Sequence, residues 1–231
     1  MKNKNKIAVL SLGGSMINGT NGFNLEFLKN FKTFILNQVK SGYRFVIVCG
    51  GGRVCREYQN AAKAVGVDNN MDLDWIGIHT THFNAGFMKV LFGKLSHPEI
   101  VRHETDRIEW TSKLLFSGGW KPGHSTDYDA VILAKRYGAN TVVNLSNIEY
   151  VFDKDPNKFR DAKKIENITW DNFRKIVGNK WVPGANAPFD PIASREAQKN
   201  KMKVVVMNGN NLNDLAKVLN GEEKIIGTII S

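Results

Sequence analysis

Three consecutive glycines at residues 50–52 lie between an apolar run at residues 45–49 and two arginines, Arg53 and Arg56. The apolar run predicts a buried strand, and the spacing of apolar residues after the glycines predicts a helix that ends at Gly66. Backbone N–H groups at the start of such a helix bind anions, and a glycine lets a phosphate approach the backbone closely. An arginine in the first helical turn opposes the helix dipole, and a bound phosphate removes that conflict. The stretch therefore predicts a phosphate site, with a plain tight turn as the alternative explanation of the glycines.

Two further glycine-containing turns follow predicted strands. One is at residues 13–15, after the apolar run 7–12, and the other is the sequence GGWKPGHSTD at residues 118–127. In the second, Ser125 or Thr126 can cap the helix that follows. The turns after the first two long strands are expected at the carboxyl edge of a parallel sheet, where open α/β sheets bind ligands.

Three carboxylates and one histidine are candidates for polar contacts with a ligand. Asp190 directly precedes a proline, which is the pattern of a helix cap, so a capping role competes with a catalytic one. Asp155 lies in a turn-rich stretch, and Asp74 ends the polar stretch 68–74, which predicts a loop in which the carboxylate is merely solvated. The position of His124 between two glycine-containing turns favours a ligand contact over an isolated loop histidine.

The predicted elements alternate between strands and helices, which is typical of an α/β fold with a mostly parallel sheet. The first strand, the helix capped by Asn24 and the strand 45–49 form a βαβ unit with a right-handed crossover. Residues 96–110 are charged and fit no element. The expected inward faces are Leu25, Leu28, Phe31, Ile35 and Val39 in the first helix, and Val54, Tyr58, Ala61, Ala62 and Val65 in the second. Other helices are predicted at residues 75–92 and 212–219 and after Ser125 or Thr126, Thr169 and Asp190, and other strands at residues 114–116, 141–145, 204–207 and 225–230.

Composition limits the class of protein. The chain has 231 residues, 42% of them apolar, which is enough for one large α/β domain or two small ones. No run of about 18 apolar residues predicts a membrane span, and the two cysteines, Cys49 and Cys55, suit the reducing cytoplasm. The net charge of +10 favours anionic ligands and raises nucleic acid as a further hypothesis. Because the basic residues are scattered and the histidines show no metal-ligand spacing, we expect small anionic ligands, with no nucleic-acid, membrane or metal site.

Six stretches in order carry a resemblance to a known family: LSLGGSMI, VIVCGGGRVCREYQNAA, MDLDWIGIHTTHFNA, SGGWKPGHSTDYDAVILA, SNIEYVFDKDPNKFRDAKKIENIT and FDPIASREA. On these stretches the chain resembles the amino acid kinase family, in particular its archaeal-type uridylate (UMP) kinases. The resemblance covers nearly the whole chain. It implies a single three-layer α/β/α domain over residues 1–231, in which residues 1–145 hold the phosphoryl acceptor and residues 146–231 hold ATP.

The resemblance also implies a reaction and an assembly. The reaction is transfer of the γ-phosphate of ATP to UMP, giving UDP and ADP, as a step of pyrimidine nucleotide biosynthesis. The implied cofactors are ATP and Mg²⁺ bound through the nucleotide phosphates, and the implied assembly is a cytoplasmic homo-hexamer, a trimer of dimers. Phosphoryl transfer needs positioning and charge neutralisation more than a covalent nucleophile, which agrees with glycine turns and arginines.

Residue by residue, the resemblance implies two binding sites and a small catalytic set. The acceptor site corresponds to Gly51, Asp74 as acceptor of ribose hydroxyls, Trp120, Lys121, Pro122, Gly123, His124, Ser125 and Thr126. The ATP site corresponds to Ser11, Leu12, Gly13, Gly14, Ser15, Gly52, Arg56, Ser146, Phe152 and Asp155. The catalytic set is Arg56, Asp190 as organiser of the site, and Arg195, where relatives often carry a lysine.

Two departures from the family pattern stand out. Ser11 occupies the position where many amino acid kinases carry a lysine, so another cation must neutralise the phosphates. The candidates are Lys6, Arg56 and Arg195. The family's aspartate–glycine pair after the fourth strand is Glu149-Tyr150, and a tyrosine lacks the conformational freedom of glycine, so the loop near ATP is expected to differ in shape.

Three alternatives to a UMP kinase stay open on the sequence. The first is a kinase of the same fold with another small phosphate or carboxylate substrate. An isopentenyl phosphate kinase would carry a histidine soon after its glycine turn, and residues 53–56 contain none. The second is a non-catalytic nucleotide- or oxyanion-binding protein, favoured by the missing lysine and by the Glu149-Tyr150 pair. The third, a nucleic-acid-binding protein, depends on net charge alone.

Overall fold

The computed structural model describes residues 6–181 and 187–231, which form a central sheet flanked by helices. The strands are β1 (Lys6–Leu12), β2 (Asn18–Gly19), β3 (Gly22–Phe23), β4 (Tyr43–Cys49), β5 (Leu114–Ser117), β6 (Thr141–Ser146), β7 (Val151–Phe152), β8 (Lys164–Ile165), β9 (Asn167–Ile168), β10 (Lys203–Asn208) and β11 (Thr228–Ile230). The helices are α1 (Gly14–Ile17), α2 (Leu25–Lys40), α3 (Gly52–Ala64), α4 (Asn70–Phe92), α5 (Thr126–Tyr137), α6 (Trp170–Val177), α7 (Pro191–Lys199) and α8 (Leu212–Leu219), with a 3₁₀ turn at Gly93–Leu95. None of the helices in these two ranges is long and apolar enough to span a membrane.

The main sheet has the strand order β5–β4–β1–β6–β10–β11–β9, and every neighbouring pair is parallel except β10–β11. β1 lies between β4 and β6 and pairs in parallel with β4, as the predicted βαβ unit requires. The expectation of an α/β fold with a mostly parallel sheet is confirmed. Strands β2–β3 and β7–β8 form two short antiparallel hairpins outside it.

The core has one apolar layer on each face of the sheet. Successive residues of a strand point to opposite faces, so in β1 Leu10 packs into one layer and Val9 into the other. Helices α2 and α4 cover the first layer, with Phe31 and Met88 fully enclosed. Helices α5, α6 and α7 cover the second layer, where Phe173 is among the enclosed side chains.

Most of the predicted helix starts are correct. The Asn24 side chain accepts a hydrogen bond from the N–H of Phe27, 3.1 Å away, and Ser125 rather than Thr126 caps α5. Asp190 caps α7 with a proline in the first turn, as predicted. Thr169 stands before α6, but its side chain makes no capping hydrogen bond.

Three local predictions were wrong. Residues 68–74 were expected to be a loop, but Asn69 caps a helix that begins at Asn70, so Asp74 lies within α4. The expected inward face of α3 points to solvent instead, with Tyr58 61% and Val65 83% exposed. The buried residue of that helix is the polar Gln59, which hydrogen-bonds a backbone oxygen of α4, so hydrophobic spacing gave the wrong face. Leu25, expected inside, is also exposed.

The unassigned stretch 96–110 lies beside β5 over residues 96–101 and then passes through a turn at residues 103–106. Ser96 and Val101 form parallel bridges to residues of β5, and Val101 is fully buried. The guanidinium of Arg44 stacks on the ring of Trp110, 4.0 Å from its centroid. At the other end of the chain, the last strand is shorter than the predicted 225–230 and begins at Thr228.

Candidate active site

The first two glycine turns, after β1 and β4, lie against each other at the carboxyl edge of the sheet. A Cβ on Gly14 would stand 2.2 Å from the backbone nitrogen of Gly52, and a Cβ on Gly52 would stand 2.4 Å from the carbonyl carbon of Gly14. Gly52 also has a φ of +69°, which side-chain-bearing residues rarely adopt. Glycine is therefore required here by contact between the two turns, a stronger reason than the expected close approach of a phosphate.

Helix α4 supports these turns with polar side chains that the sequence analysis missed. The Nδ2 of Asn84 donates to the backbone oxygens of Gly50 and Gly51, at 2.8 and 3.2 Å. The hydroxyl of Thr81 accepts from the N–H of Gly119 at 2.7 Å and so ties the third glycine turn to the same helix. Buried polar residues within an otherwise apolar helix were the available signal, because such groups need partners.

A cleft opens beside the turns, and seven of the predicted residues line it: Gly51, Gly52, Arg56, Asp74, His124, Ser125 and Thr126. The other lining residues are Cys55, Gln59, Gly77, Ile78, Thr81, Gly119 and Trp181. The structure thus brings the start of α3, the start of α5 and one side of α4 together around a common space.

Part of the predicted acceptor loop faces away from the cleft. The side chain of Trp120 is 3% exposed and packs in the second core layer, with its Nε1 donating to the hydroxyl of Ser117. Lys121 forms an ion pair with Glu104 at 2.8 Å, and Pro122 is not among the residues that line the cleft. Gly123 contributes its N–H, which donates to Oδ2 of Asp74 at 3.0 Å.

The predicted ATP residues fall into two groups. Leu12 ends β1 in the core, Gly13, Gly14 and Ser15 form the adjoining turn, and the N–H of Gly13 bonds the end of β6, next to Ser146. Phe152 and Asp155 lie further along, in the β7 strand and the turn after it, outside the residues that line the cleft. Tyr150, which replaces the family's glycine, is not among the residues with positive φ, so the chain there takes an ordinary side-chain-bearing conformation.

The three candidate cations are placed very differently. Arg56 is exposed and lines the cleft. Arg195 is exposed on α7 and does not line it, so the structure does not bring this predicted residue to the glycine turns. Lys6 begins β1 and packs its ammonium 5.0 Å from the ring centroid of Tyr43, at the opposite end of the strand from the turns.

Behind the cleft, Asp127 joins three elements of the fold. Its Oδ1 accepts from the hydroxyl of Ser11 in β1 and from Nδ2 of Asn144 in β6, both at 2.8 Å, and its Oδ2 accepts from the N–H of Asp190 at 3.1 Å. Ser11 is therefore a buried partner of a carboxylate and not a group facing a nucleotide. Burial, aided by the charge of Asp190, raises the pKa of Asp127 to about 6. The sequence analysis missed Asp127 because an acidic residue in a first helical turn is ordinary.

Asp190 performs the capping role and reaches the site as well. Its Oδ1 accepts from the N–H groups of Ile192 and Ala193, and its Oδ2 accepts from the N–H of Ser125 in the cleft wall. The two explanations offered for Asp190 are thus not exclusive, since one carboxylate both caps α7 and fixes the start of α5.

Asp129 and His124 are buried with few partners. Among the described residues neither carboxylate oxygen of Asp129 has a hydrogen-bond partner, and the imidazole of His124 lies beside it, with Nδ1 3.7 Å from Oδ1. Burial, with the charge of Asp190 added, raises the pKa of Asp129 well above its ordinary value, and burial lowers the pKa of His124. Tyr128 packs on the imidazole, with ring centroids 4.3 Å apart. Neither group was predicted to be buried, because both lie in a polar stretch.

The cleft is suited to an anion. Helices α3 and α5 begin in its wall, and the first backbone N–H groups of a helix carry partial positive charge. Arg56 adds a full positive charge on the same wall. Asp74, in the same cleft, offers carboxylate oxygens that accept hydrogen bonds from hydroxyl groups. A ligand with a phosphate at one end and hydroxyls at the other fits this arrangement.

Comparison with known proteins agrees with this fold and site. The model of the amino acid kinase family matches residues 6–208, and the chain belongs to that family.

Several individual proteins that match this chain are uridylate (UMP) kinases. The chain is 31% identical over 226 residues to the uridylate kinase of Sulfurisphaera tokodaii, covering 96% of this chain and 97% of that protein. It is 32% identical over 231 residues to the uridylate kinase of Thermoplasma volcanium, covering 97% and 98%. The crystal structure of the Archaeoglobus fulgidus uridylate kinase superposes with a TM-score of 0.80 at 27% identity, covering 97% of this chain and 99% of that chain. The UMP kinase of Bacillus anthracis, at 20% identity and a TM-score of 0.75 over 98% of this chain and 96% of that chain, shares the fold.

Proposed function

We propose that the protein is a UMP kinase that transfers the γ-phosphate of ATP to UMP, giving UDP and ADP. The observation that carries the proposal is the cleft in which Arg56, two helix N-termini and Asp74 surround one space. Uridylate kinases that match nearly the whole chain support it, and so does the family membership.

In this proposal the acceptor phosphate binds at the start of α3. The N–H of Gly51 binds this phosphate, and the carboxylate of Asp74 accepts the ribose hydroxyls. Gly52 and Arg56, which the resemblance assigned to ATP, line the same cleft and neutralise the phosphoryl group that passes between ATP and the acceptor. Ser125 and Thr126, at the start of α5, complete the wall. These groups position the acceptor for in-line attack, which is the main requirement of phosphoryl transfer.

ATP is assigned to the adjoining side of the glycine turns, around residues 13–15, Ser146, Phe152 and Asp155. The turn and Ser146 are neighbours in the structure, and the interlocked glycines leave no side chain between donor and acceptor sides. Mg²⁺ bound through the ATP phosphates supplies further charge neutralisation. Asp127 and Asp190 act as organisers in this proposal, because together they connect β1, β6, α5 and α7 behind the transfer site.

The substrate is tested by a coupled assay of ADP formation with ATP and a panel of nucleoside monophosphates. The proposal expects the highest kcat/KM with UMP. A rate with UMP no higher than the ATPase rate without acceptor would contradict the proposal. A preference for another phosphate or carboxylate would favour a different kinase of this fold.

We further propose that the enzyme assembles in the cytoplasm as a homo-hexamer, a trimer of dimers. Exposed apolar side chains on α3 and α4 supply a surface for self-association, among them Val65, Phe83 and Val90. The two unpaired cysteines suit a reducing compartment. Light scattering of the purified protein tests the assembly: a hexamer is expected for the natural chain and smaller species for Phe83→Ser, and a monomeric natural chain would contradict it.

A further inference from the structure

Trp181 lies in the cleft wall, where sequence reasoning assigned nothing. Among the described residues that line the cleft, it carries the single six-membered aromatic ring. The apolar side chain of Ile78 lines the same space. Flat apolar surface of this kind suits a planar ring system better than a phosphate or a hydroxyl.

The indole is held in place by the acceptor carboxylate. Its Nε1 donates to Oδ2 of Asp74 at 3.3 Å, and the same oxygen accepts from the N–H of Gly123 at 3.0 Å. Asp74 therefore links α4, the third glycine turn and Trp181. A ligand whose hydroxyls bind Asp74 must lie beside the indole.

The other tryptophans do not offer such a surface. Trp110, Trp120 and Trp170 are buried in the core, 3–7% exposed. Trp75 is 40% exposed on α4 but does not line the cleft. Trp120, which the family resemblance assigned to the acceptor, has its ring in the second core layer, so Trp181 is the tryptophan that reaches the ligand space.

We propose that Trp181 is an acceptor-binding residue whose indole stacks on the nucleobase, while its N–H to Asp74 sets the ring beside the ribose. This inference rests on the proposed function, in that the acceptor is a nucleoside monophosphate. Stacking of a base on an aromatic side chain typically changes affinity by about tenfold or more, and it needs no hydrogen bond to the base.

The test separates base contact from general disruption of the cleft. Calorimetry measures binding of UMP and of ribose 5-phosphate, which lacks the base, to the natural chain and to Trp181→Ala. We expect the Kd for UMP to rise at least about tenfold, with that for ribose 5-phosphate and the KM for ATP unchanged. Trp181→Phe keeps a ring without the N–H, so its Kd for UMP should lie between those of the natural chain and Trp181→Ala. Trp75→Ala is the matched control, which should change the affinity for neither ligand.

Tryptophan fluorescence gives a second readout that does not depend on turnover. UMP should quench the emission of the natural chain and of Trp75→Phe, and the quenching should be lost in Trp181→Phe. Equal weakening of UMP and ribose 5-phosphate, unchanged UMP affinity in Trp181→Ala, or quenching that persists in Trp181→Phe would each overturn the inference.

Failure of the inference and failure of the proposed function give different results. UMP that binds with the predicted quenching but is not phosphorylated contradicts the kinase and supports the stacking role. UMP that is phosphorylated with the same KM by Trp181→Ala and the natural chain supports the kinase and overturns the stacking role.

Discussion

The cleft is supported on two sides by different physical means. On one side the turns at Gly14 and Gly52 touch backbone to backbone, with no room for a Cβ and no charge. On the other, the carboxylates of Asp127, Asp129 and Asp190 lie among α5, α7 and the sheet, and two of them have raised pKa values. The glycine side depends on close steric fit, and the acidic side depends on the hydrogen bonds that its carboxylates accept.

The two sides should therefore differ in how they tolerate substitutions. A Cβ added to Gly14 would stand 2.2 Å from the backbone nitrogen of Gly52, so the glycine side should fail outright on substitution. A carboxylate can change its protonation state, so the acidic side should respond gradually and with pH. The following predictions test that contrast, beginning with the largest effect.

Gly14→Ala should damage the protein most. The added Cβ meets the Gly52 backbone, so we expect a loss of about 3 kcal/mol or more in the free energy of unfolding, and loss of turnover. Denaturant-induced unfolding measures the loss of stability. Gly86→Ala is the matched control, because a Cβ at that helical position meets nothing within 4 Å and should be neutral or stabilising by about 0.4–1 kcal/mol. Similar stability in both variants would contradict the interlock.

Arg56→Ala should leave the fold intact and lower kcat/KM by about 30- to 1,000-fold, because a charge-assisted contact to the transferring phosphates is lost. Arg53→Ala is the control, since that guanidinium bonds the backbone oxygen of Gly19 and pairs with Glu57, outside the cleft. Steady-state kinetics of both folded variants measure the change in kcat/KM. Near-normal turnover of Arg56→Ala would remove this cation from the site.

Asp129→Asn should stabilise the protein, and more at high pH. Because its folded pKa is raised, the folded carboxyl keeps a proton that the unfolded chain releases above about pH 4, so the natural chain loses stability as the pH rises. Removing the charge should add about 1–3 kcal/mol at pH 8 and less at pH 5, measured by urea unfolding.

Asp127→Asn is the contrasting control, two residues away. Its carboxylate accepts from Ser11, Asn144 and Asp190, and an amide replaces one acceptor oxygen with a donor, so this variant should be destabilised. A gain for Asp129→Asn that shrinks with rising pH, or two variants of the same sign, would contradict the account of the acidic side.

Asp74→Asn should have the smallest effect on stability and a selective effect on binding. An amide accepts with one oxygen only, so the KM for UMP should rise several-fold while that for ATP stays near its natural value. The comparison is made with both substrates varied in turn. A larger rise for ATP would reverse the assignment of the two sites.

The glycine side of the site could be predicted from sequence, whereas on the acidic side only Asp190 could. Residues 50–52 follow an apolar run so directly that strand, turn and helix were all evident. Asp127 and Asp129 looked like ordinary first-turn acids, and only the packing of α5 on β1 and α7 reveals what surrounds them. The exposed face of α3 was missed for the same reason. The spacing of apolar residues locates an apolar stripe on a helix, but it does not show whether another element packs against that stripe. Trp120 was expected at the acceptor and is buried in the core, and Trp181, which was assigned no role, lines the cleft, because a loop sequence does not determine which side chain turns inward.

Single-turnover transfer from ATP labelled in its γ-phosphate tests the central claim most directly. The account predicts that, with UMP present, the label appears in the β-phosphate of UDP at a rate that Arg56→Ala reduces and Arg53→Ala does not. Label that remains in ATP or appears only as inorganic phosphate, with UMP unchanged, would contradict the claim that this cleft transfers a phosphoryl group to UMP.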